Sequence, residues 1–193
     1  MKKKVAALVA DAFQDSEYFL PKIALQDQLG LDVEVISIEK APIEIYSYFS
    51  RIGMLDVDMS IDEADPNDYV GVLVPGGAKS PALLGEDQAI LAFLQKINAD
   101  RKLVASICRG SLLVAKSGIA RGRRLTGFHL EKDFPDLAIR PIVEENGGIW
   151  SDDQPVVIDA NLVSSRHPND IEYFTEGIRQ WLSGSSRTAG LST

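Results

Sequence analysis

Chemistry in this chain starts from Cys108, the single cysteine among 193 residues. It stands within Ala105-Ser106-Ile107-Cys108-Arg109-Gly110-Ser111-Leu112-Leu113. The preceding run, Lys102-Leu103-Val104-Ala105, reads as a buried strand, and Ser111 to Lys116 reads as a helix. Almost no chain is left between them, which predicts Cys108 on a sharp strand-to-helix corner. That is the geometry of a nucleophile elbow, written G-x-S-x-G in serine enzymes. Such a corner lifts the side chain above the sheet and aims helix N–H groups at it. Those groups favour a thiolate, so the expectation is a thiol that titrates below about 8.5, the free value. A lone cysteine elsewhere is more often a small apolar core residue; the corner reverses that balance.

Pro75-Gly76-Gly77 follows a second strand-like run, so a backbone N–H there can approach the cysteine. A carbonyl attacked by Cys108 develops an oxyanion. The N–H groups of Gly77 and Arg109 are the donors placed to stabilise it, with Gly76 beside them. Pro-Gly-Gly also suits a plain strand-end turn.

Strand and helix signals alternate along the chain that must position these groups. Lys4 to Ala10 is a continuous apolar run, as in a strand covered on both faces. Asp15 and Ser16 open an amphipathic helix to about Leu29, with a kink or restart at Pro21. Asp32 to Ile38 and Tyr69 to Val74 are further strands. Residues 42 to 60 suggest a hairpin-like excursion around Gly53, and Asp62 to Asp65 a short helix stopped by Pro66. Glu86 to Asn98 is a helix, Leu103 to Ser106 a strand, and the elbow helix runs to Ser117-Gly118. Arg124 to Thr126 is a short strand, followed by a segment to Arg140 that holds His129. Pro155 to Ser165 reads as a hairpin turning at Asp159-Ala160-Asn161, and Pro168-Asn169 opens a last helix to about Leu182. The pattern predicts a flavodoxin-like α/β sandwich, a mostly parallel sheet with helices on both faces. One domain is expected over 1–183, with a flexible tail over 184–193. Sites in such sheets form at the carboxyl ends of strands. Asp11 to Glu17, Pro75 to Gly77 and Cys108 should therefore cluster.

Composition narrows the partners. The formal charge of −8 makes nucleic acid and anionic membranes poor partners. One cysteine rules out an intramolecular disulfide, and two histidines are too few for a metal cage. No metal or other cofactor is expected. No apolar run approaches the roughly 18 residues of a membrane span. Val5 to Ala10 is too short for a signal-peptide core, so a cytoplasmic protein is expected.

Five segments together resemble the ThiJ/PfpI superfamily, kin of the class I glutamine amidotransferase domain. They are Asp15-Ser16-Glu17, Val74-Pro75-Gly76-Gly77, Ala105 to Gly110, Gly118 to Thr126, and Val163 to Asp170. They occur in family order over about residues 4 to 182. The resemblance implies that Cys108 is the reactive thiol and that Glu17 is a carboxyl group beside the sulfur. Spacing alone makes Glu17 a first-turn acid that favours the helix dipole. It also implies a homodimer or higher homo-oligomer. Tyr46, Tyr48 and Phe49 in the 42–60 excursion are the interface candidate, or else pack under their own loop. Several branches place a histidine near the thiol in the region of His129, which makes His129 a candidate base; a surface loop histidine is the alternative. His167, at the start of the last helix, reads as structural.

The protease-like branch carries His directly after the cysteine, where this chain has Arg109. It also carries an acid just past a proline after Pro-Gly-Gly, where this chain has Ala82 after Pro81. Guanidinium stays protonated and cannot act as a base, though it can hold a thiolate, carboxylate or phosphate. The resemblance therefore implies a cysteine-dependent hydrolase, hydratase or glyoxalase-type enzyme on small carbonyl, amide or nitrile substrates. The alternatives are a redox-sensing or stress-response protein that oxidises Cys108, or a chaperone-like subunit. Purified protein should leave casein intact; cleavage that disappears in Cys108→Ser would show that Arg109 and Ala82 do not disable a protease.

Overall fold

Lys4–Leu8 (β1) decides the layers, because its side chains alternate between two buried clusters. Val5 and Ala7 pack with Tyr18, Phe174 and Ile178; Ala6 and Leu8 pack with Ile90, Leu94 and Leu113. Both faces of the strand are covered, as a run without polar alternation requires. The computed structural model describes residues 2–130 and 132–184. After β1 come β2 (Phe13–Gln14), α1 (Asp15–Ile23), β3 (Asp32–Ser37), β4 (Ile43–Ser47), β5 (Ser50–Leu55) and β6 (Met59–Ser60). Then follow β7 (Tyr69–Val74), α2 (Ser80–Leu84), α3 (Gln88–Ala99), β8 (Leu103–Ile107) and α4 (Gly110–Lys116). The chain ends with β9 (Arg124–Leu125), α5 (Arg140–Glu145), β10 (Ile149–Trp150), β11 (Val156–Asp159), β12 (Leu162–Ser165) and α6 (Ile171–Leu182).

Seven strands form the main sheet in the order β11-β12-β8-β7-β1-β3-β6. All neighbours are parallel except β11, which runs against β12. Side chains of α1 and α6 fill one face, and those of α3 and α4 the other. This is the α/β sandwich the alternating pattern predicts. The central strands β1, β7 and β8 all point the same way. Asp11 to Glu17, Pro75 to Gly77 and Cys108 therefore leave the sheet at one edge of the layer, side by side. At the far side of the sheet β6 pairs only with the end of β3. The Val35 N–H of β3 is bonded instead by Asp58 Oδ2 at 2.8 Å. Lys2–Asp32 (2.9 Å) and Lys4–Glu34 (3.2 Å) ion pairs flank it.

Several elements differ from their sequence expectations. The excursion over 42–60 is a hairpin, but it turns at Tyr48-Phe49 rather than at Gly53, which pairs with Ile45 inside β5. Tyr48 takes the left-handed conformation itself, at φ 54°, and Gln14 Oε1 accepts its N–H at 2.8 Å. The helix from Asp15 passes through Pro21 and gives way to a π-helical turn over Ala24–Gln28. Pro21 has no N–H to return to the preceding turn, and the widening follows it. The expected helix at Asp62 is a single 3-10 turn, Ile61–Glu63, closed by a capping box between Ser60 and Glu63. The helices α2 and α5 were hidden by Pro81 and Pro141. Each proline sits in a first turn, where its missing N–H costs nothing. The α3 helix starts at Gln88, after Asp87 caps the N–H groups of Ala89 and Ile90. Of the expected tail, residues 185–193 lie outside the described residues.

Gly110 opens α4 directly against β7: a Cβ there would lie 2.1 Å from Val74 O. The helix can follow the corner this closely only because that atom is missing. Gly110→Ala should lower the urea-unfolding free energy by about 3 kcal/mol, the upper range for overpacking. A loss below about 1 kcal/mol would mean that the helix start can slide.

Candidate active site

Cys108 takes φ 58°, the left-handed region that a residue with a Cβ enters at a cost of roughly 1–2 kcal/mol. The surroundings hold it there. Its N–H donates to Ser165 O at 3.0 Å, at the end of β12. Its carbonyl accepts the Phe128 N–H at 3.0 Å. Below the corner, Ser111 Oγ donates to Thr126 O (2.6 Å) and lies 3.1 Å from Ser106 Oγ. The Thr126 N–H donates to Ser164 Oγ at 2.9 Å. The three serine hydroxyls are buried, and these bonds to one another and to the Thr126 backbone are what makes them tolerable in a core.

Glu17 reaches the same place from the first turn of α1 and is fully buried. Its Oε2 accepts the Gly76 N–H at 2.7 Å. A Cβ at Gly76 would lie 2.7 Å from that oxygen, 2.8 Å from Arg109 N and 2.9 Å from Cys108 Cβ. Glycine is therefore required for three strand ends to meet. Burial pushes the Glu17 carboxyl up to about 8, against the Gly76 hydrogen bond and the Cys108 thiol, which pull it down. Near neutral pH Glu17 is a neutral acid. With Oε2 accepting the amide, Oε1 is left to carry the proton, and Oε1 has no other hydrogen-bond partner.

Burial also pushes the Cys108 thiol well up, and the Glu17 charge and hydrogen bond add to that. The Arg109 N–H and guanidinium act in the lowering direction but do not prevail. The expectation of a thiol below 8.5 is thereby reversed. The helix behind the corner is short and its N–H groups are present, but enclosure beside a second acid outweighs them.

Cys108, Glu17, Gly77 and Arg109 line a cleft of about 610 Å³, its open mouth included. Arg109 lies largely buried there and donates through Nη1 to Gly77 O at 3.1 Å and to Ala78 O. The guanidinium thus braces the turn after β7. The histidine on the cleft wall is His167, whose side chain also has the structural role expected of it, capping the turn before the last helix. Its Nδ1 accepts the Asn169 N–H at 3.3 Å, so Nε2 carries the proton in the neutral ring. Burial and the neighbouring His129 lower its pKa. His129 does not line the cleft; its ring meets that of His167 edge-on at 6.2 Å. Position in the sheet would have flagged His167, since it follows the carboxyl end of β12, and β12 is paired with β8. Tyr48 and Phe49 stand exposed at the hairpin tip and line the cleft rather than packing beneath their own loop. Among the described residues no cluster of His, Cys, Asp or Glu could hold a metal ion.

The fold and this site define a class. The model of the DJ-1/PfpI family matches residues 3–180, and the chain belongs to that family. It is 34% identical over 177 residues to protein/nucleic acid deglycase 2 of Escherichia coli, covering 90% of this chain and 94% of that one. It is 33% identical over 168 residues to deglycase TK1284 of Thermococcus kodakarensis, covering 87% and 92%. Among solved structures, a two-domain protein of Anabaena variabilis with DJ-1/ThiJ/PfpI-like and ferritin-like domains superposes with a TM-score of 0.82 at 28% identity. The match covers 94% of this chain and 48% of that longer one. No helix among the described residues is long and apolar enough to cross a membrane.

The raised Glu17 carboxyl fixes a dependence of stability on pH. Unfolded, the group releases its proton near its ordinary 4.5; folded, it holds it to about 8. Stability conferred in acid is therefore lost as pH climbs through that window. Glu17→Gln keeps the size and an acceptor for Gly76 but cannot ionise. Relative to wild type it should gain about 3 kcal/mol in urea unfolding between pH 5 and pH 7. A difference that does not move with pH would mean that Glu17 is already ionised in the folded protein.

Proposed function

We propose that this protein is a cysteine-dependent enzyme acting on small carbonyl compounds. The observation that carries the reading is a buried, neutral Glu17 carboxyl set beside Cys108 at a left-handed strand-to-helix corner. When this pair gives up one proton, the proton that remains is shared. With that proton on Glu17 the sulfur is a thiolate, and it adds to the carbonyl carbon as the π electrons move to oxygen. The N–H groups of Gly77 and Arg109 stabilise the oxyanion, and Glu17 delivers its proton to it. On an α-oxoaldehyde, a proton then moves from the former aldehyde carbon to its neighbour through an enediol. Hydrolysis of the resulting thioester releases a 2-hydroxy acid and restores the thiol. The aldehyde carbon is oxidised and the ketone carbon reduced, so no external acceptor is involved. His129, the base expected from the sequence, stands outside the cleft with its ring edge-on to that of His167, so the cleft histidine in this reading is His167.

Both relatives above are named deglycases, and a deglycase-type reaction at Cys108 is a second substrate form for the same chemistry. The neutral carboxyl also favours a second role, oxidation sensing. It can donate to a sulfinate oxygen after two equivalents of hydrogen peroxide oxidise the thiolate and are reduced to water.

Conversion of methylglyoxal to lactate tests the first reading. Wild-type protein should turn it over at a rate that rises with pH through about 8, as the Cys108–Glu17 pair ionises. Cys108→Ala should lose at least roughly a hundredfold. A rate that survives in Cys108→Ala sinks the proposal. A protein with no turnover but selective oxidation of Cys108 to a sulfinate by hydrogen peroxide belongs to the second role.

A further inference from the structure

One side of the cleft is a series of aromatic rings that the proposed thiol chemistry does not use. Phe128 lies buried near the floor, where its N–H already holds the Cys108 carbonyl. Its ring is 6.4 Å from that of Phe134, and Phe134 is 5.6 Å from Phe49, in tilted rather than stacked pairs. Leu130 and Leu137 extend the same wall. The three rings come from distant parts of the chain, two from the segment after β9 and one from the β4–β5 hairpin. Phe49 is 63% exposed, so its own chain does not cover it.

The hairpin tip is nevertheless held over the cleft. Gln14, one turn from Glu17, bonds the Tyr48 N–H. The Ala12 N–H donates to Glu44 O at 3.0 Å, and Asp11 Oδ1 accepts the Glu44 N–H at 2.8 Å. The hairpin side of the wall is thus tied to the segment that carries Glu17. Facing it are polar groups that suit two oxygens: the Gly77 and Arg109 N–H groups beside the sulfur, and the neutral His167 ring with its Nε2 proton.

We propose that this cleft selects α-oxoaldehydes bearing an aryl or comparably large apolar substituent, over the methyl compound. The proposal rests on the reading of Cys108 as the attacking thiol. A planar ring meets aromatic neighbours at the tilted, 4.5–7 Å spacings that such pairs prefer, whereas a methyl group leaves the wall facing water. The covalent step is the one already given. Phenylglyoxal and water yield mandelate, the aldehyde carbon being oxidised as the ketone carbon is reduced.

Two measurements test this, one with chemistry and one without. In the first, kcat/KM is compared for phenylglyoxal and methylglyoxal, by chromatography of mandelate and lactate. Phenylglyoxal should be favoured at least tenfold in wild type, and the ratio should fall at least tenfold in Phe49→Ala and in Phe134→Ala. A wild-type preference for methylglyoxal, or a ratio that neither variant changes, overturns the proposal. In the second, Cys108→Ala is titrated with mandelate and with lactate by saturation-transfer NMR. Mandelate should bind and lactate should not, with the mandelate signal lost when Phe49→Ala is added. If nothing turns over but mandelate still binds in this way, the enzyme reading fails while the cleft's selectivity stands. If neither acid is distinguished and the protein is a dimer that Phe49→Ala dissociates, the rings belong to a second copy of the chain and the proposal is wrong.

Discussion

The hydrogen bond from the Gly76 N–H to Glu17 Oε2 ties together the three strand ends on which the site depends. It needs a glycine after β7, since any side chain there would strike the carboxyl and the corner at once. It needs α1 to start close enough for a first-turn side chain to reach across. It also removes the carboxyl from water, and that enclosure raises its proton affinity. Packing and acidity at this point are one fact: the closeness that excludes solvent is what keeps Glu17 neutral.

The strained corner at Cys108 is supported in the same way. A left-handed non-glycine residue persists only where its surroundings over-determine it. Here the backbone N–H and C=O of Cys108 are both bonded, one to β12 and one to the segment after β9. A buried set of serine and threonine groups fixes those two partners to each other. Because Arg109 braces the turn after β7, the N–H donors around the sulfur sit on a framework with little freedom to rearrange.

Local signals made the elbow legible, because an apolar strand run meets a helical run with no turn between them. Gly76 and Gly77 were legible for the same reason. Glu17 was not: a first-turn acid looks like any other until the chain around it is folded, and only the family pattern singled it out. The histidines show the limit most clearly. His167 sits in a Pro-Asn context that reads as a helix opening, and its place on the cleft wall depends on β12 pairing with β8, a contact no local pattern encodes. The hairpin turn is not legible locally, because Gly53 is the usual turn residue while the chain turns at Tyr48 with help from Gln14. The thiol acidity is not legible in the corner alone, because burial is a property of the assembled layers.

At the far side of the sheet, β3 is finished differently. A strand edge normally offers a row of free N–H and C=O groups to any other strand that approaches. Here β6 covers only the end of β3, Asp58 occupies the Val35 N–H, and along the rest β3 carries the acidic side chains of Asp32 and Glu34, paired with Lys2 and Lys4 from the β1 side. An incoming strand would have to displace a carboxylate from its amide and lie against the charged side chains of Asp32 and Glu34. This border is therefore guarded against strand addition, and the chain can carry a nearly uninterrupted apolar sheet without offering it as a template for aggregation.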